Sequence, residues 1–238
     1  MRIALFGYNF PHKKTQDFIL RLFLENADIK VVFAADPVKL NIPKSTIKTG
    51  LRHGGLVHPK SISDRIGVRY EVVNHNGPEV LRIIEEELID VAIIAGARII
   101  KGPVLSKLRY GLINFHPGKI PEARGLDAML WSIYEGHPLG VTAHIIDERI
   151  DAGRILMWRE IQLNPDDTLI DLSSRLLDVQ VEMLPDVLRI ISGGSLPLPI
   201  TTDAKLHRKM PPELEVCVPK ILANRLHQLH TDSQKNAT

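Results

Sequence analysis

Cysteine is almost absent from this 238-residue chain. Cys217 stands alone, so neither an internal disulfide nor a multi-cysteine metal site can form. Aromatic residues are scarce as well, at 5% of the composition. No apolar run reaches the ~18 residues of a membrane span. The start, MRIALFGYNFPHKK, has too short an apolar stretch for a secretory leader and lacks a small-residue cleavage site. A cytoplasmic setting with reduced thiols is the expectation. Charge of one sign is missing too: a net +2 argues against nucleic acid or a membrane surface as partner. Finally, no G-x-G-x-x-G follows the first apolar run, which weakens the reading of a noncatalytic nucleotide-binding module.

What is present is a chain 44% hydrophobic and 24% charged, enough for one globular domain with a small extension. RIALFG (2–7), an amphipathic stretch at 15–27 with Thr15 as its N-cap, and DIKVVFAAD (28–36) read as strand, helix, strand. Pro43, Gly50 and Gly54-Gly55 punctuate a long loop that follows. A short helix at 59–66 and a strand at 68–73 come next, then a helix at 77–88. DVAIIAG (90–96) and YGLINFH (110–116) read as central strands flanking a short helix at 103–109. A helix at 126–136 stops at Gly136, strands span 140–147 and 154–163, and a long helix at 167–192 should kink at Pro185. This alternation predicts an α/β fold with a mostly parallel, Rossmann-like sheet flanked by helices. Residues 1–200 form the expected catalytic domain. Residues 201–238, rich in proline and charge, form a C-terminal extension ending in a mobile tail.

Ligands of such sheets bind beyond the carboxyl ends of the strands. Gly7, Gly96 and the pair Asn114 and His116 all fall at such ends. In GLINFHPGKIPEARG (111–125), residues 114 and 116 of an extended segment face the same side. A lone histidine at a strand end is usually structural. An amide, an imidazole and a following Pro117-Gly118 together suggest a site. Downstream, DERIDAG places Asp151 in a turn between strands, with Gly153 permitting tight backbone. An amide donor, an imidazole and a carboxylate suffice for acyl transfer: Asn114 and a protonated His116 can stabilise an oxyanion, and Asp151 can raise the histidine's pKa or accept a proton. His116, His144 and Asp151 can also be read as a zinc set, but Asn114 then has no role.

These motifs resemble those of the folate-dependent formyltransferases. The resemblance rests on Asn-x-His-Pro, Pro121 to Gly125, Gly-Val-Thr-x-His (140–144) and Asp-Glu-x-x-Asp-x-Gly (147–153), dense over 90–160 and looser from Met1 to about 200. It implies Asn114, His116 and Asp151 as the catalytic set, with His144 at a family position. It implies 10-formyltetrahydrofolate as co-substrate with no metal. The pterin pocket falls on Ala95, Gly96, Ala97, Arg98, Ile99 and Ile100 together with Ile146 and Asp147. Arg149 stands where many relatives carry glycine.

Three acceptor branches compete. A glycinamide ribonucleotide enzyme should carry a Gly-Ser-Asn-type phosphate loop where this chain has GYNFPHKK (7–14). A methionyl-tRNA enzyme should continue into a longer C-terminal domain. WSIYEGHPLGVTAHIID resembles the nucleotide-sugar N-formyltransferases, which implies a nucleotide-linked amino-deoxy sugar, a part in lipopolysaccharide O-antigen biosynthesis, and a homodimer. A formyltetrahydrofolate hydrolase would share the triad. Between Val38 and Arg69 lie seven basic residues, including Lys44, Lys48 and Arg52, against the lone acid Asp64. That segment is either a solvated loop or a seat for the diphosphate. Tyr8 and Phe10 are candidates to flank the base or sugar, and Trp131 reads as core.

Overall fold

The computed structural model describes residues 1–39, 43–51, 53–97, 99–147, 153–194, 196–199 and 204–235, with side chains through Thr231. Arg52, Arg98, Arg149 and Asp151 lie outside the described residues, as do 236–238 of the expected tail.

The sheet has seven strands: β1 (Arg2–Tyr8), β2 (Asp28–Ala35), β3 (Arg69–Val72), β4 (Val91–Ile94), β5 (Leu112–His116), β6 (Gly140–Ile145) and β7 (Arg154–Glu160). Their order is β3-β2-β1-β4-β5-β6-β7. Pairings from β3 through β5 are parallel, and β5–β6 and β6–β7 are antiparallel. After β3 the chain crosses back past β1 to lay β4 on its other side. This switch point leaves a crevice at the carboxyl edge. The central strands read as unbroken apolar runs because helices cover both faces. Ala4, Leu5, Phe6, Val91, Ala92 and Ile93 are fully buried.

One face carries α1 (Lys13–Leu24), α2 (Pro59–Ile66), α5 (Ala128–Glu135), α6 (Leu169–Ser192) and α8 (Val218–Lys235); the other carries α3 (Pro78–Glu86) and α4 (Gly102–Leu105). The short α7 (Pro212–Glu215) precedes α8. Helix α1 starts two residues before the expected cap. His12, not Thr15, is its N-cap, accepting from the Thr15 amide, while the buried Thr15 hydroxyl donates to the Ala95 carbonyl at 3.0 Å. Helix α6 runs unbroken through Pro185. The stretch after residue 204 is less irregular than its composition suggests: Val218, Leu222 and Leu226 of α8 are buried in the same core as α5 and α6. Helix geometry continues to Lys235. Among the described residues no helix is long and apolar enough to cross a membrane.

Candidate active site

Strand β5 holds its geometry to its last residue, so Asn114 and His116 share a face. The antiparallel register sets Asn114 opposite His144 and His116 opposite Thr142. The Asn114 amide nitrogen lies 3.4 Å from His144 Nε2. The amide N–H donates and the unprotonated ring nitrogen accepts, which leaves the second amide hydrogen for a reacting oxygen. His116 is buried, and its Nε2 lies 2.7 Å from the Ala123 carbonyl. A carbonyl only accepts, so Nε2 carries the proton there. The two imidazoles stand edge to face, with centroids 6.5 Å apart.

The exit through Pro117-Gly118 is shaped by close packing. A Cβ on Gly118 would lie 2.8 Å from Ala128 Cβ and 3.1 Å from His116 Nε2, so the turn that presents the imidazole requires glycine. Thr142 fastens the same turn: its hydroxyl donates to the Gly118 carbonyl at 2.7 Å and accepts from the Ile120 amide at 3.2 Å. The motif Gly-Val-Thr-x-His thus supplies one residue for the turn and one for the amide. Gly153 approaches the end of β6 closely. A Cβ on Gly153 would fall 1.8 Å from the Ile145 carbonyl oxygen, so only glycine allows this approach.

The expected pterin segment after β4 splits by exposure. Ala95, Gly96 and Ile100 are buried, and Ile99 is exposed. Ile146 packs against the core face that holds Ile100, and Asp147 is half-buried beside it. The segment is clamped by a residue that sequence reasoning missed. Asn76 Nδ2 donates to the Ile99 carbonyl at 3.0 Å, and its Oδ1 accepts from the Lys101 amide at 2.7 Å. An asparagine in a turn carries no such signal. Tyr8 closes the other side: its hydroxyl donates to the Ala97 carbonyl at 3.3 Å, and its ring leaves room for nothing larger than Gly96. Phe10 stacks on Tyr8 at 4.9 Å, so the two expected acceptor aromatics pair with each other.

Lys14 was also missed. Its Nζ lies 3.5 Å from the Phe115 carbonyl, between Asn114 and His116, and 5.1 Å over the Phe18 ring. Burial lowers its pKa to about 7. Burial and the Lys14 charge together lower that of His12, against the opposing pull of Asp17. Lys44 and Lys48 are exposed. Lys48 lines a groove between α6 and α8, apart from the cavity that opens at Pro117. Trp131 is buried, as expected, and donates to the Arg208 carbonyl at 2.9 Å.

A formyl transferase family signature matches residues 30–188, two thirds of the chain and the whole of β5, β6 and their turns. This chain belongs to the formyl transferase family. Its sequence is 30% identical to the methionyl-tRNA formyltransferase of Chlorobium chlorochromatii over 125 residues, 52% of this chain and 40% of that protein. It spans well under half the length of the first curated relatives it matches. Two solved structures share the fold. The phosphoribosylglycinamide formyltransferase of Anaplasma phagocytophilum has a TM-score of 0.64 at 18% identity, covering 86% of this chain and 95% of that one. The sugar N-formyltransferase of Shewanella sp. has 0.61 at 20%, covering 92% and 87%. At such identities the likeness extends to the fold alone, and the names of these relatives divide among all three acceptor branches.

Proposed function

We propose that this formyl transferase moves a formyl group from 10-formyltetrahydrofolate to the primary amine of a nucleotide-linked amino-deoxy sugar. The reading rests on the cavity of about 400 Å³ that opens at Pro117, one residue past His116. Among the described residues its polar lining is Thr49, His53, Asp127, Ser173, Ser174 and Gln180, with no lysine or arginine. Hydroxyls, an amide and one carboxylate suit a hydroxylated ring bearing an amine. A phosphate there would face the Asp127 carboxylate, whose one cationic partner, Lys209, does not line the cavity. The volume suits the sugar, and the nucleotide would extend toward the basic segment with Lys44 and Lys48.

In the reaction the neutral amine attacks the formyl carbon, forming a C–N bond and a tetrahedral intermediate. The free Asn114 hydrogen and the His116 imidazolium hold its oxygen. Cleavage of the bond to folate N10 releases tetrahydrofolate. The amine's proton leaves to that nitrogen by way of Asp151, a role assigned to Asp151 by resemblance. His144 acts through Asn114 as a positioning residue. Products are a formamide and tetrahydrofolate, with no change of oxidation state. The resemblance further implies a homodimer, which a solution mass by light scattering checks, and a cytoplasmic place in O-antigen sugar synthesis.

The test is tetrahydrofolate release from 10-formyltetrahydrofolate with several amino-deoxy nucleotide sugars, glycinamide ribonucleotide, methionyl-tRNA and no acceptor. Release only with an amino sugar is the expected result. Release only with ribonucleotide or tRNA would overturn the acceptor, and formate release without acceptor would make the enzyme a hydrolase.

A further inference from the structure

Residues 36–58 form no helix or strand among the described ones, yet Thr49, Gly50, Leu51 and His53 make one wall of the cavity at Pro117. A loop of this length needs external anchors to form a fixed wall. Its strongest anchor comes from far along the chain. Glu215, at the end of α7, is 1% exposed. Its carboxylate accepts from the Thr46 amide and the Thr46 hydroxyl, each at 2.6 Å, and from the Ser45 hydroxyl. Lys209 Nζ stands 3.7 Å from Glu215 and 3.2 Å from Asp127, whose carboxylate also accepts from the Met210 amide at 2.9 Å. Asp127 itself lines the cavity.

The same C-terminal stretch is fastened to the turn that presents His116. The His207 amide donates to the Arg124 carbonyl at 2.9 Å and the Leu126 amide to the His207 carbonyl at 3.0 Å. Gly125 lies so close that a Cβ there would fall 2.1 Å from the His207 carbonyl oxygen. A path of hydrogen bonds, closed by the Lys209–Glu215 ion pair at 3.7 Å, therefore runs from the turn after His116, through 207–210 and Glu215, to Ser45 and Thr46. It ends three residues before the cavity wall.

We infer that Glu215 is a positioning residue for acceptor binding: its buried carboxylate ties the 45–46 stretch, and with it the 49–53 wall, to the turn that carries His116. The inference rests on reading the cavity at Pro117 as the acceptor site. Burial alone would raise the Glu215 carboxyl, but hydrogen bonds from Ser45 and Thr46, with Lys209 nearby, outweigh it and hold it below the usual range. The carboxylate therefore stays charged at neutral pH. The C-terminal extension, in this reading, is a strut within one subunit.

The experiment compares the parent with Glu215→Ala and with Ser45→Ala/Thr46→Val, which removes donors from the loop and leaves the carboxylate beside Lys209. Amide hydrogen exchange over 44–53 and the KM of each substrate are read in all three. Faster exchange is expected in both variants. The acceptor KM should rise about tenfold or more, with kcat and the folate KM within about twofold of the parent. An unchanged acceptor KM in either folded variant would overturn the inference while leaving the acceptor reading intact. A parent that turns over no amino sugar would overturn that reading. Unchanged exchange over 44–53 would overturn the strut whatever the kinetics.

Discussion

The expected pterin segment after β4 and the loop that leads to the cavity wall at 49–53 are held by different means. On the side of the expected pterin segment, residues 99–101 are clamped by Asn76, about 25 positions earlier and one helix away. On the acceptor side, residues 45–46 are held by Glu215, about 170 positions later. The first clamp is neutral and uses two hydrogen bonds to backbone. The second is a buried carboxylate with three donors and a lysine, which is stronger while charged and lost on protonation. In the proposed reading the folate side is held by a contact near the sheet, and the acceptor side by the C-terminal stretch.

The largest effect should come from the reacting centre itself. Asn114→Ala is expected to lower kcat by ~100–1,000-fold with folding intact, since it removes an oxyanion donor. Steady-state kinetics with circular dichroism checks this, and a loss below tenfold would remove Asn114 from the chemistry. His144→Ala should lose less, because the amide remains but is no longer oriented, and combining the two changes should add little beyond Asn114→Ala alone.

Asn76→Ala sharpens the comparison directly. The folate KM should rise about tenfold, with the acceptor KM within twofold. A rise in both would mean that the two sides are not independent. Independence also predicts that Asn76→Ala and Glu215→Ala, combined, shift the two KM values by the product of the separate effects.

Lys14, beside the Phe115 carbonyl, can be tested by pH. Its pKa falls from an ordinary 10.5 to about 7 on folding. Between those values the unfolded chain binds more protons, so stability rises with pH across that window. The penalty of the buried ammonium is complete below pH 7 and gone above about 10.5. Lys14→Met should therefore raise Tm most near pH 6, with a gain that shrinks as pH increases. A gain that does not change with pH would show that the ammonium is not the source of the penalty. The smallest effect belongs to Thr168→Ala, which removes half of the capping box of α6 and should cost about 1 kcal/mol by denaturant unfolding.

Much of the fold was readable from local pattern. Apolar runs that end in glycine marked the buried parallel strands, and the strand end at Asn114 and His116 survived because period-two geometry continues to His116. Errors arose where tertiary contacts outweighed local preference. Thr15 looked like a cap but was drawn inward to the Ala95 carbonyl, leaving the cap to His12. Pro185 does not end the helix, and α6 passes through it with buried residues on both sides. Composition alone does not say how the stretch after residue 204 packs, because Val218, Leu222 and Leu226 form a sparse stripe that has meaning only against α5 and α6.

The sequence by itself determined the α/β class, the strand ends at one edge and the proximity of Asn114 to His116. These follow from short-range periodicities of two and of 3.6 residues. Only the tertiary structure decided that His144 meets Asn114, that Ala123 holds His116, that Asn76 clamps 99–101 and that Glu215 holds 45–46. Each of these depends on antiparallel register or on chain segments far apart in sequence, and no local pattern encodes a hydrogen bond across 170 residues.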